Sequence, residues 1–307
     1  MSRADLLWGA AAALSFCTGP SAVAAELRAI GGGAAAAYRV SDQGSVVQTP
    51  GPDSLQVTVA AAAGDGLINE SPPPNSWEIS CIVGGIGIAR YGSLAGRAHA
   101  EASSRPANTF AMAGGQATVS PGFTDGVQVL SDTLDTDTPV TLTFAMTLEA
   151  AATHFTDVFN ANPDGTGAAA RHEVEVRDLD DIVHLPGQGA LVVNSRGAQE
   201  GFTTFELDTA IGHRLEIVAN LFVAAGVDID YASQGFSQGS ADVIADNTAE
   251  LFFQPSGDVR LVSDSGHDYA VPEPGRGALL AVSAALVLLR GRREGRAAPA
   301  RGRPLPV

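Results

Sequence analysis

Thr141-Leu142-Thr143-Phe144-Ala145-Met146-Thr147-Leu148-Glu149 is the stretch in which the alternation of side-chain type is clearest. Apolar side chains occupy every second position and threonines stand between them. Successive side chains of a β-strand point to opposite faces, so this period of two predicts a strand with one buried face. The residues predicted to face the core are Leu142, Phe144, Met146 and Leu148, and those predicted to face outward are Thr141, Thr143 and Thr147.

The same period of two recurs along the chain and predicts the fold class. It is found in residues 54–59, 92–103, 171–177 and 214–223. Strands with one apolar and one polar face are typical of antiparallel sheets. Turn-forming residues separate these segments, at 51–53, 71–74, 121–122, 162–165, 186–187 and 255–258. We therefore expect an all-β protein of eight to twelve strands, an antiparallel β-sandwich with a jelly-roll-like strand order.

The segment Gly92–Ser103 has a face of small side chains. The residues on this face are Gly92, Leu94, Gly96, Ala98, Ala100 and Ala102. A helix is the alternative interpretation of so much alanine, and Gly92 and Gly96 disfavour it. Small side chains in a strand predict that another sheet or backbone approaches closely.

Composition limits the partners of the protein. All 18 basic residues are arginine, and residues 26–270 hold 10 of them against 31 acidic residues. An excess of negative charge of this size excludes nucleic acid and anionic membrane surfaces as expected partners. Only 6% of the chain is aromatic, and 35 residues are glycine, which favours a turn-rich β protein over a helical enzyme.

The C-terminal part of the chain has the order of a sorting signal. Val271-Pro272-Glu273-Pro274 is followed by the uncharged apolar run 277–289 and then by a basic tail. That run is shorter than the ~20 residues of a typical membrane-spanning helix, and flanking arginines can extend it by snorkelling. Arginines beside such a helix mark its cytoplasmic end, so the preceding residues are expected outside the cytoplasm. The expected cytoplasmic anchor consists of Arg290, Arg292 and Arg293. An ordinary membrane anchor after a proline-rich linker is the alternative.

Residues 1–25 have the parts of a secretory signal peptide. Arg3 precedes an apolar core from Leu6 to Phe16, and Ala22-Val23-Ala24 is a suitable cleavage site. The segment Leu14–Cys17 is a weaker match to a lipoprotein motif. Both ends of the chain thus predict export.

The motif, the short helix and the arginine cluster together resemble the PEP-CTERM sorting domain of Gram-negative bacteria. The resemblance covers residues 271–296, and the tail 297–307 is longer than is usual in that family. It implies recognition by exosortase, a membrane-embedded cysteine protease, in a bacterium that makes extracellular polysaccharide. It implies delivery to the cell surface or matrix and nothing about the activity of residues 26–270.

Removal of the signal peptide would leave Cys81 as the single cysteine, so an intramolecular disulfide is not expected. Trp77, Ile79, Cys81 and Val83 share one face of a predicted strand. We interpret Cys81 as a buried structural residue, because free cysteine usually packs as a small hydrophobe.

Motifs that would indicate catalysis are weak throughout the sequence. The six histidines lack the spacing of a helical zinc site, and most are interpreted as solvent-facing strand residues. Gly235–Gly239 matches the Gly-x-Ser-x-Gly pattern, which marks a nucleophile only between a strand and a helix, and a triad can also be assembled by folding. The paired carboxylates of residues 178–181 and 228–230 fit an acidic surface, and a glycosidase pair is the alternative.

Calcium is the one cofactor that the sequence suggests, and the expectation is that none is required. Asn160, Asn162 and Asp164 copy the first half of a calcium loop, but Arg171 stands where a bidentate Glu is needed. Residues 132–137 form a second acidic loop with three aspartates.

These observations define a predicted organisation and three functional hypotheses. The predicted parts are a signal peptide (1–25), a β-sandwich domain (26–270), a sorting signal (271–296) and a tail (297–307). The leading hypothesis is a non-enzymatic, exported protein with a structural or adhesive role in an exopolysaccharide matrix. A carbohydrate-binding module is the second hypothesis and a glycan-processing enzyme the third. Aromatic candidates for glycan stacking are Tyr38, Trp77, Tyr91, Tyr231 and Tyr269.

Overall fold

The structure is a computed structural model of the 307-residue chain. It describes residues 25–37, 40–51, 53–70, 75–105, 112–157, 165–181, 183, 185–197, 201–230, 237–255 and 257–270. Residues 1–24 of the predicted signal peptide, the calcium candidates Asn160, Asn162 and Asp164, the sorting motif and the arginine anchor lie outside these ranges.

The described residues form an all-β protein with antiparallel sheets, as the alternation predicted. Fifteen strands are described, where eight to twelve were expected. They are β1 (Glu26–Ala37), β2 (Val40–Asp42), β3 (Ser45–Pro50), β4 (Leu55–Glu70), β5 (Asn75–Arg90), β6 (Ser93–Arg105), β7 (Met112–Leu130), β8 (Pro139–Leu148), β9 (Ala151–Thr156), β10 (Gly167–Asp178), β11 (Gly187–Asn194), β12 (Phe202–Ala210), β13 (Arg214–Asp230), β14 (Ser237–Gln254) and β15 (Arg260–Ser263).

The strands are divided between two sheets. The first, sheet A, has the order β11-β10-β13-β7-β1-β2, and β15 pairs with the end of β7. The second, sheet B, has the order β12-β8-β14-β6-β5-β4-β3. Strand β8 pairs with residues 249–254 of β14, and β9 pairs with residues 239–244 on the same side. Together β8 and β9 therefore act as one interrupted neighbour of β14. From β6 onward the chain passes repeatedly between the sheets, and spatial neighbours are therefore often distant in sequence.

The inner faces of the two sheets pack against each other, and the small face of β6 lies at this contact. Residues Leu94, Gly96, Ala98, Ala100 and Ala102 are all buried, as predicted. A β-carbon added at Gly96 would lie 2.7 Å from the Cγ2 atom of Val223 on β13. The small side chains therefore permit the close approach of sheet A that their sequence suggested.

The core contains the residues that alternation placed there. Leu142, Phe144, Met146 and Leu148 are each at most 1% exposed. The apolar faces of β10 and β13 are buried in the same way, with Val174, Val176, Leu215, Ile217, Ala219, Leu221 and Val223 inside. Phe144 stacks on Phe205 with a centroid separation of 5.4 Å and lies 6.0 Å from Phe253. This aromatic cluster links β8 to both of its neighbours in sheet B.

The C-terminal end of β8 is covered on both faces. Thr147 faces outward as predicted, yet it is only 6% exposed, and Ala145 on the same face is 3% exposed. Thr147 is on the outer face, where its cross-strand neighbours are Phe202 on β12 and Glu250 on β14. Larger side chains on both sides restrict the access of water to the threonine, which strand alternation alone does not reveal.

Pro121-Gly122 was predicted to be a turn, but both residues lie within β7. On one side Pro121 pairs with Ala29 of β1. On the other side the pairing of β7 with β13 is interrupted at residues 120 and 121, between the pairs formed by Val119 and Gly122. Proline has no N–H to donate. The gap on the β13 side is consistent with this missing donor, because the strand keeps its partner on the other side.

The described compact unit ends at Tyr269, one residue before the predicted domain boundary. Within the described ranges, no helix is long and apolar enough to cross a membrane. The predicted helix 277–289 lies outside those ranges and stays a prediction.

Candidate functional site

The first candidate site is the terminal segment, residues 264–269, because the predicted sorting motif begins two residues after it. Asp125 on β7 is fully buried and binds this segment through both carboxylate oxygens. Its Oδ1 accepts the Ser265 N–H at 3.2 Å, and its Oδ2 accepts the Ser265 and Tyr269 hydroxyls at 2.5 and 3.0 Å. Hydrogen bonds to a buried carboxylate are stronger than those between neutral groups. The segment is therefore firmly attached to the centre of sheet A.

Backbone contacts attach the same segment to other strands. The Asp264 N–H donates to the Gly126 carbonyl, and the Tyr269 carbonyl accepts the Phe253 N–H, each at 2.8 Å. Asp264 also forms an ion pair with Arg214 on β13. The chain thus reaches its predicted processing motif from a position held by β7, β13 and β14.

The ring of Tyr269 is part of the core. It is 1% exposed, packs 6.4 Å from Phe123 and meets the His267 ring edge-on at 4.7 Å. Burial and the neighbouring Asp125 raise the pKa of the Tyr269 phenol well above its usual value. His267 in turn covers Gly92, which has a φ of +75°, and a β-carbon there would collide with the imidazole. The turn between β5 and β6 therefore requires glycine for both backbone conformation and space.

Tyr269→Phe tests this attachment. We expect the variant to lose ~2 kcal/mol of unfolding free energy, because it removes a hydrogen bond to a buried carboxylate. Tyr91→Phe is the matched control, since the Tyr91 ring packs 6.1 Å from the same Phe123 but its hydroxyl is not among the donors to Asp125 described above. Urea unfolding followed by tryptophan fluorescence compares the two, and equal losses would contradict the assignment.

The second candidate site is an Asp–His pair at the end of β10. The Asp178 carboxylate accepts four hydrogen bonds. Its Oδ2 accepts from His213 Nδ1 at 2.8 Å and from the Thr209 hydroxyl at 2.6 Å. Its Oδ1 accepts from the N–H groups of Asp180 and Asp181 at 2.9 and 3.0 Å. Burial alone would raise the pKa of Asp178, but these hydrogen bonds outweigh it and hold the pKa below its usual value. The pKa of His213 is raised, chiefly by its hydrogen bond to Asp178.

This pair has the geometry of half a catalytic triad, but its electrostatics favour a structural role. A triad needs a nucleophilic hydroxyl beside the second imidazole nitrogen. The group placed there is Asp137, whose Oδ1 lies 3.9 Å from His213 Nε2. A raised pKa keeps the imidazole protonated to higher pH, and a protonated imidazole cannot take a proton from a nucleophile. Asp178 and His213 therefore connect β10, β12 and β13 as an ion pair.

The acidic loop 132–137 does not gather its three carboxylates. Asp132 pairs with Arg260 at 3.0 Å, Asp135 is exposed, and Asp137 faces His213. Asp258 organises the loop from outside by accepting the Ser131 hydroxyl, the Thr133 hydroxyl and the Thr133 N–H. The hydrogen bonds from the Ser131 and Thr133 hydroxyls lower the pKa of Asp258 to about 2. Across the part of the chain that the structure describes, no group of three or more His, Cys, Asp or Glu side chains could hold a metal ion.

Cys81 and His172 are buried nucleophilic or titratable groups. Cys81 is fully buried and burial raises its pKa to about 11, which confirms the interpretation as a structural thiol. Most of the six histidines were interpreted from the sequence as solvent-facing, but His172 is 1% exposed on the inner face of β10. Its Nδ1 lies 3.0 Å from the Thr147 carbonyl and donates to it, and burial lowers its pKa to about 4.

Two of the aromatic candidates for glycan stacking, Tyr91 and Tyr269, have described side chains, and both rings pack against Phe123. Tyr269 is buried there, and Tyr38 and Tyr231 lie outside the described ranges. Trp77 is located in β5, and only its backbone is described. Among the side chains that the structure describes, the large exposed aromatic rings are those of Phe155 and Phe202, which the sequence did not single out.

Comparison with known proteins does not add a family. No protein-family model, no curated protein and no solved structure matches the chain.

Proposed function

We propose that the chain is an exported, non-enzymatic protein that a C-terminal sorting signal delivers to the cell surface or extracellular matrix. The observation that carries the proposal is the order of parts after Tyr269. The motif Val271–Pro274, the apolar run 277–289 and the arginines at 290, 292 and 293 follow the last residues attached to the β domain. This is the order expected of a passenger, a cleavage motif and a membrane anchor.

We propose a structural or adhesive role for the passenger in an exopolysaccharide matrix. Its acidic surface supports solubility in a polysaccharide matrix and disfavours nucleic-acid partners. The buried Cys81 and the ion-paired His213 support a role without covalent chemistry, since neither is arranged to attack a substrate. The proposed processing partner is an exosortase-type protease, and the proposed precursor is held in the inner membrane by its C-terminal helix.

We also propose that the passenger is a jelly-roll sandwich. The support comes from strand order: β12-β8-β14-β6 runs through one sheet and β11-β10-β13-β7 through the other. Successive strands from β6 to β14, with β9 counted as part of β8, change sheets at every step except between β10 and β11. Eight strands with this alternation form two Greek keys. Strands β1–β5 then extend both sheets on one side.

Mass spectrometry of the protein from a bacterium that has an exosortase tests the proposed sorting. The mature chain should lack the signal peptide and should end near Pro274. The double variant Pro272→Ala/Glu273→Ala keeps the apolar run and the arginines, so it should stay membrane-bound and retain Val307. Intact Val307 on most of the mature parent protein would refute the proposal.

Glycan binding is the second candidate function, favoured by two exposed rings. Phe155 on β9 is 49% exposed and Phe202 on β12 is 61% exposed. Exposed aromatic rings can stack on sugar faces. A glycan array probed with the purified protein decides between the candidates: binding that Phe155→Ala or Phe202→Ala abolishes would favour a carbohydrate-binding module over a purely structural role.

A further inference from the structure

The edge strands at the two ends of the paired sheets are covered to different extents. On one side β11 and β12, the last strands of their sheets, pack together. A β-carbon at Gly189 would lie 2.8 Å from the Phe205 ring, so the two sheets close tightly there. On the other side the sheets end at β2 and β3. Strand β2 pairs only with Ala35 to Ala37 of β1. The edges of the two sheets are joined by the Gln48 side chain of β3, which donates to the Ala29 carbonyl of β1 at 2.5 Å.

Strand β3 is the exposed edge of sheet B. All six of its residues are exposed, and its described strand partner is β4. An edge strand turns half of its backbone N–H and C=O groups away from its neighbour, where another strand can pair with them. Val46 and Val47 are 48% and 55% exposed, and β-branched side chains of this kind favour strand pairing.

Charge distinguishes this edge of sheet B from the opposite edge of the same sheet. Residues 26–270 hold 31 acidic residues against 10 arginines, but Ser45-Val46-Val47-Gln48-Thr49-Pro50 contains no charged side chain. The edge strand on the opposite side, β12, carries Glu206 and Asp208. Natural proteins commonly place charges on exposed edges to prevent pairing. On an acidic protein, two copies meet with less repulsion at an uncharged edge than at a charged one.

We propose that β3 is a self-association edge, on which the β3 strand of a second copy pairs antiparallel about a two-fold axis. A two-fold axis normal to the sheet keeps outward side chains outward, so Val47 must face an outward residue of the other copy. The register that pairs Val47 with its own symmetry mate also pairs Ser45 with Thr49 and Val46 with Gln48. It leaves Pro50, which cannot donate, outside the ladder.

This pairing would join two eight-stranded sheets into one continuous sheet. Val47 lies beside Thr58 and Ile86 on the outer face, so the interface would also bring together the exposed apolar side chains of the two copies. The interaction is isologous and closes at a dimer. It follows from strand geometry and charge, and it does not depend on whether the C-terminal segment is processed.

Sedimentation of the full chain, in a detergent that covers the apolar run 277–289, tests the proposal. The parent should form dimers, and Val47→Glu should weaken the association at least tenfold because it places two carboxylates at the axis. Ile244→Glu is the matched control: Ile244 is 46% exposed on the outer face of β14, away from the edge. A parent that stays monomeric at its solubility limit contradicts the proposal. So does a dimer that Ile244→Glu disrupts and Val47→Glu leaves intact.

Cysteine cross-linking fixes the register independently of stability. In a Cys17→Ser background, Val47→Cys should form a disulfide-linked dimer on mild oxidation, because opposite side chains in an antiparallel pair are close enough to bridge. Cys81 is buried and should not contribute. Val262→Cys, at a site 48% exposed on β15, is the control and should stay monomeric. Equal cross-linking at both positions would mean that the copies meet by random collision.

Discussion

Phe144→Ala is expected to lower the free energy of unfolding by ~3–5 kcal/mol. Phe144 is fully buried and sits between Phe205 and Phe253, its partners on β12 and β14. The substitution removes apolar contact area and leaves a cavity, because backbone pairing on both sides of β8 restricts collapse into the space. The loss of stacking on Phe205 adds to this cost.

Thr143→Ala is the control for this substitution. Thr143 is adjacent on the same strand but half-buried on the outer face, and its loss should cost under ~1 kcal/mol. Chemical denaturation of parent and both variants measures the difference. Equal destabilisation would mean that both faces of β8 are covered at this point, and a larger effect at Thr143 would mean that the register is shifted by one residue.

The register of individual strands could be predicted because burial is a local property of the sequence. Alternation in β8 placed four core residues correctly, and the small residues of β6 indicated the close approach of Val223 on the facing sheet. Both predictions depend on side-chain period and volume, which are read from a few consecutive residues.

Features that depend on neighbouring strands could not be predicted in this way. Thr147 is buried by Phe202 and Glu250, which come from strands far away in the sequence. Pro121 is accommodated inside β7 because β1 pairs on one side of it while the ladder to β13 is interrupted. A single sequence does not reveal which strands become neighbours, so the composition of each cross-strand pair remains hidden.

The same limit applies to the candidate sites. Asp125 meets Tyr269 from 144 residues away, and Asp178 meets His213 across 35 residues. The three aspartates of loop 132–137 are close together in the sequence, yet Asp132 and Asp137 pair with separate basic residues. Local acidity was therefore a poor guide to electrostatic partners, because pairing is decided by the sheet order.

His172 provides the clearest prediction about pH. It lies inside the core with its Nδ1–H directed at the Thr147 carbonyl, and protonation of the ring would place a positive charge among apolar side chains. Burial therefore lowers its folded-state pKa from 6.5 to about 4. In the unfolded chain the ring is solvated and titrates near its ordinary value. Between these two pKa values the unfolded state binds more protons, so stability falls as the pH is lowered.

The loss expected from His172 is about 3 kcal/mol between pH 7 and pH 4, since each pKa unit corresponds to ~1.4 kcal/mol. His172→Gln keeps an N–H that can donate to the Thr147 carbonyl but does not titrate, so urea unfolding of this variant should lose that part of the pH dependence. His154→Gln, at an exposed site on β9, is the control and should behave as the parent. His213 does not mask the effect: its pKa is raised, so its stabilising contribution is present below pH 6.5 and is lost only as the pH rises through its folded-state pKa. A parent whose stability is unchanged from pH 7 to pH 4 would mean that the core opens to solvate the His172 imidazole.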